Sequence, residues 1–311
     1  MTATRLPEPA ARLPSGRPVD LRADDGHPLA ATLYEPLHGN GVAVVISPAY
    51  AVPRRYYAAY ARYLAGLGFT VLSLDWRGVG ESRQPGARQW AYRLQHWGER
   101  DLPAAIDWLA DQCPGQTLVA VGHSAGGQMI GLARNNHRLA AALTVSSQIG
   151  YWRLFDYPYN LLALAWFHVV VPLRTLLNTA IPSLRRGGFD VPAGVAWQWA
   201  RWGRDPEYFI DDSGRSLRPA FAGFRGWLRL YAVSDDLGWA PRRAVEALAA
   251  RFVNARSEVR NCAPSDWGVP RIGHFGFFRP AMPRAAWQET AQWLLAAARA
   301  PESQIHEEIR S

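Results

Sequence analysis

The sequence predicts an α/β protein with a mostly parallel central sheet, helices on both faces and one helical insertion. Three observations carry this. Apolar, β-branched runs alternate with segments of helical spacing from Val42 onward, and such alternation implies right-handed crossovers and a covered parallel sheet. Thr117 to Gln128 reads Thr-Leu-Val-Ala-Val-Gly-His-Ser-Ala-Gly-Gly-Gln, a strand-like run leading through a glycine-flanked serine into a helix. Finally, the alternation stops at Gln148 and resumes at Trp227, with an aromatic- and proline-rich stretch between.

In chain order, Val19 to Arg22 and Leu29 to Tyr34 flank Asp24-Asp25-Gly26, hairpin chemistry that would add an antiparallel edge. Val42 to Ser47 is a continuous apolar run of the kind buried on both faces. Arg54 to Gly66 has helical spacing, Thr70 to Asp75 reads as a strand, and His96 to Gln112 places Leu102, Ala105, Ile106 and Leu109 on one helix face. Leu118 to Val121 is the strand before the serine turn and Met129 to Asn135 the helix after it. Leu139 to Val145, Trp227 to Val233 and Glu258 to Cys262 follow as strands, with helices at Pro241 to Phe252 and Pro283 to Arg299. This divides the chain into an arm over 1–18, a core over 19–149 and 226–300, an aromatic lid over 150–225 and a tail over 301–311.

At Ser124 the strand-to-helix turn is a nucleophile elbow. Gly122, Gly126 and Gly127 allow the strained backbone and close strand–helix packing such a turn needs. It sets the serine hydroxyl above a helix N-terminus, where unpaired N–H groups would face developing negative charge. The plainer alternative is a serine N-cap on a glycine-rich turn. A dinucleotide fingerprint is excluded, since Gly-x-Gly-x-x-Gly is absent here.

A serine hydroxyl needs a base to become a nucleophile, normally an imidazole held by a carboxylate. His274 lies in the glycine-flanked turn Arg271-Ile272-Gly273-His274-Phe275-Gly276 after the last strand, and Ser234-Asp235-Asp236 follows the strand Trp227 to Val233. The order Ser, Asp, His along the chain makes His274 the expected base. Asp236 is the expected acid, with Asp235 as the alternative. His123 is expected to support the elbow and to touch substrate; His168 falls in the apolar stretch of the lid; His27, His38, His96, His137 and His306 fall on turns or polar faces.

These motifs resemble the α/β-hydrolase fold, in particular the serine aminopeptidase/lysophospholipase-like branch of predicted hydrolases. The resemblance runs from about Val19 to Ala298 and rests on Ser47-Pro48-Ala49-Tyr50, Asp75-Trp76-Arg77-Gly78-Val79-Gly80-Glu81-Ser82, the elbow, Ser234-Asp235-Asp236 and Gly273-His274-Phe275. It implies that Asp75 and Arg77 brace the loops around the site. It also implies that the loop after Val42 to Ser47 donates one oxyanion N–H. Many relatives carry His-Gly there, whereas Pro48 has no N–H to give. The donors are therefore expected to be Ala125 together with Ala49 or Tyr50.

Charged residues make up 19% of the sequence and the apolar types 49%, as in a packed globular protein, and the net charge of +8 is scattered and not gathered into a run. No nucleic acid, metal or cofactor is expected. Cys113 and Cys262 form neither a disulfide framework nor a metal cluster. The N-terminus lacks a signal-like apolar core. Leu161 to Leu173 reads as too short to span a bilayer, so no stable membrane insertion and a soluble, cytoplasmic protein are expected. A homodimer is left open. The aromatic lid, with Tyr151, Trp152 and Trp199 joining Tyr50 and His123 against substrate, points to a small-molecule acyl substrate with a hydrophobic acyl group. The expected function is a cofactor-independent serine hydrolase of carboxylic esters or thioesters. An acyltransferase on the same triad and a non-catalytic binding protein on this scaffold are the rivals.

Overall fold

A computed structural model describes residues 13–177 and 190–300. The arm before Leu13 and the tail over 301–311 lie outside them. The strands are β1 (Gly16–Arg22), β2 (Pro28–Tyr34), β3 (Val42–Ser47), β4 (Thr70–Leu74), β5 (Thr117–His123), β6 (Ala141–Val145), β7 (Trp227–Val233) and β8 (Arg256–Cys262). They form one sheet in the order β1-β2-β4-β3-β5-β6-β7-β8. The β1–β2 hairpin pairs antiparallel and joins β4 antiparallel; every later pairing is parallel. β1 opens at Gly16, so the last three residues of the expected arm belong to the sheet.

β3, β4 and β6 are buried along their whole length, which explains their unbroken apolar sequences. Edge strand β8 instead exposes Ser257, Glu258, Arg260 and Asn261, polar groups that blunt an open edge. After β3 the chain steps outward to β4, then returns to β5 on the other side of β3 and continues outward through β6, β7 and β8. The topological switch thus lies between β3 and β5, where open α/β sheets bind ligands. Ser124 follows β5 and Pro48-Ala49-Tyr50 follows β3, so both open onto this crevice.

Two expected helices carry turns of other types. Arg54 to Gly66 divides into a 3-10 turn Arg54–Tyr57 and an α-helix Ala58–Gly66, because Arg54 is held at its start by Asp75 through both its backbone N–H and its guanidinium. Before the helix Leu102–Gln112 a π-type turn spans Trp97–Asp101, ahead of Pro103, which has no N–H for the ordinary helical bond. The helix after the serine begins at once, at Ala125, and ends at Leu132, earlier than its apolar spacing suggested.

Between β6 and β7 the described residues are helical or irregular, apart from isolated bridge positions at Val191 and at Ile210 and Ser216, the last two paired antiparallel. A continuous helix from Tyr159 to Leu176 passes through a π-type turn at Trp166–Val170, just ahead of Pro172, and a second helix covers Ala193–Arg204. The 13-residue reading of the apolar run is corrected here: the helix has 18 residues, long and apolar enough by length and composition alone to cross a bilayer. The insert meets the loops at the strand ends. Trp199 stacks on Tyr50 after β3, with centroids 4.5 Å apart, and a Cβ on Gly78 after β4 would lie 2.5 Å from Pro192.

Candidate active site

Ser124 adopts φ 51°, ψ −120°, a left-handed conformation that costs a non-glycine residue on the order of 1–3 kcal/mol and must be imposed by its surroundings. The imposition is visible. Ser124 N–H donates to Val145 O at 3.0 Å, and Gly127 N–H donates to Ser124 O at 3.1 Å. A Cβ on Gly126 would lie 1.9 Å from Ser47 O, and one on Gly122 would lie 2.8 Å from Gly127 Cα. These glycines let β3, β5 and the following helix approach closely enough to hold the turn. The side chain is buried but borders the crevice at the switch point.

The structure brings Ser124, His274 and Asp236 into one hydrogen-bonded chain. His274 Nε2 lies 2.9 Å from Ser124 Oγ, and His274 Nδ1 lies 2.6 Å from Asp236 Oδ2. Ionised Asp236 can only accept, so Nδ1 carries the proton and Nε2 presents its lone pair to the serine hydroxyl. Asp235 does different work: its two oxygens accept the Ile272 and Gly273 N–H groups at 3.0 and 2.8 Å. One carboxylate thus holds the ring and its neighbour holds the loop beneath it. Gly273 takes φ +54°, which lets that loop turn. Trp239 packs on the His274 ring, centroids 5.5 Å apart.

Two expected site residues are corrected. Ala49 N–H donates to Tyr57 Oη at 2.8 Å, so it is already occupied. Among the described residues the N–H groups of Tyr50 and Ala125 carry no such bond, leaving them as the pair of donors at the crevice. His123 is 1% exposed and cannot meet substrate. Its Nδ1 lies 2.8 Å from Tyr57 Oη and its Nε2 lies 2.8 Å from His274 O. Ala49 N–H, Tyr57 O–H and His123 Nε2–H then run as one directed chain that fixes the β3 loop to the backbone of His274. Tyr57 was not anticipated, since nothing in a helical Arg-Arg-Tyr-Tyr announces a buried hydroxyl.

Two cavities adjoin one another beside His274, neither of them lined by Ser124 itself. One of about 380 Å³ is lined chiefly by Phe155, Leu162, Trp166, Phe167, Trp199 and Trp239, with Gln148 as a polar contribution and no charged side chain among the described residues. The other, about 530 Å³, contains His274, Asp235 and Asp236 together with Arg271 and Arg279. Tyr159, Gly238 and Trp239 border both. Of the expected substrate contacts, Trp199 lines the apolar cavity. Tyr151 and Trp152 line neither and pack against the apolar clusters. Tyr50 packs its ring between Trp97 and Trp199 and buries a hydroxyl with no hydrogen-bond partner among the described residues. Trp239 and Gln148 were missed; Trp239, three residues beyond Asp236, was the one with a positional signal.

Behind the site lies a buried ion network. Arg77 Nε donates to Asp101 at 2.6 Å and its terminal nitrogens reach Asp25, while Arg54 pairs with Asp75 and Glu81. Burial raises the Asp25 carboxyl, but the hydrogen bonds and charge of Arg77 outweigh it and hold Asp25 down at about 2. His96 is pushed down to about 4, first by burial and then by the charges of Arg77 and Arg100. No cluster of three metal-ligating side chains occurs among the described residues, and both cysteines are free and buried.

A family model for serine aminopeptidase, S33, matches residues 41–201. An uncharacterized Mycobacterium tuberculosis protein, Rv2307c in strain H37Rv, is 31% identical over 231 residues, covering 67% of this chain and 75% of its own. Among solved structures, Est1E from Butyrivibrio proteoclasticus superposes with a TM-score of 0.58 at 14% identity, covering 92% of this chain and all of its own. The esterase domain of a Rhodothermus marinus protein gives 0.55 at 16% identity, over 92% of this chain and 98% of its own. At such identities these two structures bear on the fold alone. The family match covers more than half of the chain, and with the sheet order and elbow it leads to one assignment: the chain belongs to the serine aminopeptidase S33 family of the α/β-hydrolase superfamily, and is a hydrolase.

Proposed function

We propose that the protein hydrolyses carboxylic esters or thioesters with a hydrophobic acyl group, through an acyl-enzyme on Ser124. The observation that carries this is the Asp236–His274–Ser124 chain, with contacts of 2.6 and 2.9 Å. In this reading Ser124 Oγ attacks the acyl carbonyl as His274 Nε2 takes its proton, and Asp236 holds the resulting imidazolium. The tetrahedral oxyanion is received by the Ala125 and Tyr50 N–H groups. His274 returns the proton to the departing alcohol or thiol, then takes one from a water that attacks the acyl-enzyme and passes it to Ser124 Oγ as the acid is freed.

The apolar cavity supports an acyl chain in place of a peptide N-terminus. An aminopeptidase must neutralise its substrate's α-ammonium group, and among the described residues no carboxylate lines that cavity. The test is fluorophosphonate labelling of wild type, Ser124→Ala and His274→Ala, with p-nitrophenyl esters from acetate to laurate read alongside. Label on the wild type, lost in both variants, is expected. Folded wild-type protein that takes no label would overturn the mechanism.

A further inference from the structure

We propose that the helix Tyr159–Leu176 seats the protein on an anionic lipid surface, lying in the plane of the interface beside the mouth of the apolar cavity. The observation is a concentration of exposed apolar side chains. Seven of the eleven exposed large hydrophobics among the described residues fall between Tyr157 and Leu177, with Leu162 at 63% and Leu176 at 74% exposure. An eighth, Leu237, is 51% exposed and adjoins Gly238 and Trp239, which border both cavities. A folded protein in water rarely leaves so large a continuous apolar face uncovered.

The helix is two-sided. Phe167, Val171 and Thr175, four residues apart, are buried, and the first two pack against Ala196 and Ala200 of the helix Ala193–Arg204. Leu162, Val169, Leu173 and Leu176 lie on the opposite, exposed side. From Phe167 onward one face is therefore committed to protein, which fits a helix lying on an interface better than one crossing it.

Charge selects the occupant. From Tyr157 to Leu177 there is no acidic residue, while His168 and Arg174 are present and Arg153 precedes the helix. Asp156, at the near end, lies 3.3 Å from Arg243. With a net charge of +8, two copies of this chain repel when brought face to face, whereas anionic headgroups attract each one. Continuity points the same way. Leu162 is both exposed and part of the cavity wall, so an acyl chain leaving a lipid layer enters the cavity without crossing water. This last step rests on the ester-hydrolase reading; docking itself does not.

Co-sedimentation of the full chain with phosphatidylcholine vesicles, with and without phosphatidylglycerol, tests the proposal. Hydrolysis of p-nitrophenyl acetate is measured separately, so loss of docking and loss of chemistry read differently. The variant Leu173→Glu/Leu176→Glu alters exposed residues that do not line the cavity. Wild type is expected on the anionic vesicles, with salt-sensitive binding, and the variant's partitioning falls by about tenfold or more at unchanged acetate hydrolysis. Absence of vesicle binding by the wild type overturns the proposal. So does a concentration-dependent dimer in sedimentation velocity that the same substitutions dissolve while vesicle binding stays absent, since the occupant is then a second copy.

Discussion

The sheet half of this protein and the segment inserted between β6 and β7 dispose of polar and apolar groups in opposite ways. Under the loops of the sheet, polar groups are buried and paired: Arg77 with Asp101 and Asp25, Arg54 with Asp75, His123 with Tyr57 and His274. In the insert, apolar groups are exposed along one helix, and the cavity it helps to line holds no charge. Such pairing fixes geometry, because a broken buried pair leaves an uncompensated charge. An apolar wall fixes only volume and tolerates change of shape. Under the proposed function, the sheet half is the rigid chemical part and the insert the adaptable part that would select the acyl group.

The hardest blow to that comparison would come from the two neighbouring carboxylates after β7. Asp236→Asn is expected to lower kcat by about ten-thousandfold, the scale seen when the ring loses its orienting carboxylate. Asp235→Asn removes acceptance of the Ile272 and Gly273 N–H groups without touching the ring, and is expected to cost about tenfold or less. Steady-state hydrolysis of p-nitrophenyl butyrate by the two variants, with circular dichroism to verify folding, separates them. Equal losses would mean that the loop and the ring are not positioned independently.

A smaller effect sharpens the other side. Trp199 touches Tyr50 and Phe167 and lines the apolar cavity, so Trp199→Ala should enlarge it. The ratio of kcat/KM for laurate over butyrate esters is expected to rise by about fourfold or more, the value of one methylene in an apolar pocket. In the sheet, Val44→Ala at a fully buried β3 position should leave that ratio unchanged while lowering stability by about 1–3 kcal/mol. An altered ratio in the sheet variant would show that acyl selection is not confined to the insert.

What the sequence disclosed follows the same division. The elbow and the positions of Ser124 and Asp236 were legible because each sits at a turn directly after an apolar strand, and His274 because glycines flank it downstream of both; turns of that kind have few sequence solutions. The contacts Ala49–Tyr57–His123 were not, because hydroxyl and imidazole partners 8 and 66 residues apart leave no periodic trace. In the insert, sequence identified aromatic richness but not which aromatic faces the cavity: Trp199 does, while Tyr151 and Trp152 do not line it. Aromatic residues suit a core and a cavity wall equally well, so composition alone does not distinguish them.

The least of the expected effects concerns a half-buried imidazole that lacks the pairing seen at His123. His96 lies where the insert covers the sheet loops, beside Gln95, whose side chain pairs with Gln198. Its Nδ1 is buried with no hydrogen-bond partner among the described residues. Burial, then Arg77 and Arg100, hold the ring at about 4, against an ordinary value of 6.5, with Asp25 partly opposing them. Between those values the unfolded chain binds a proton that the folded chain refuses, so stability falls as pH drops from 6.5 toward 4 and is fully retained above that window. In urea unfolding at pH 7 and pH 5, wild type is expected to lose about 1 kcal/mol more than His96→Gln, a figure reduced for the ring's partial exposure. Titrations elsewhere are common to both proteins and cancel in the difference. Equal losses would mean that His96 finds a partner in solution and that its burial costs the folded protein nothing on acidification.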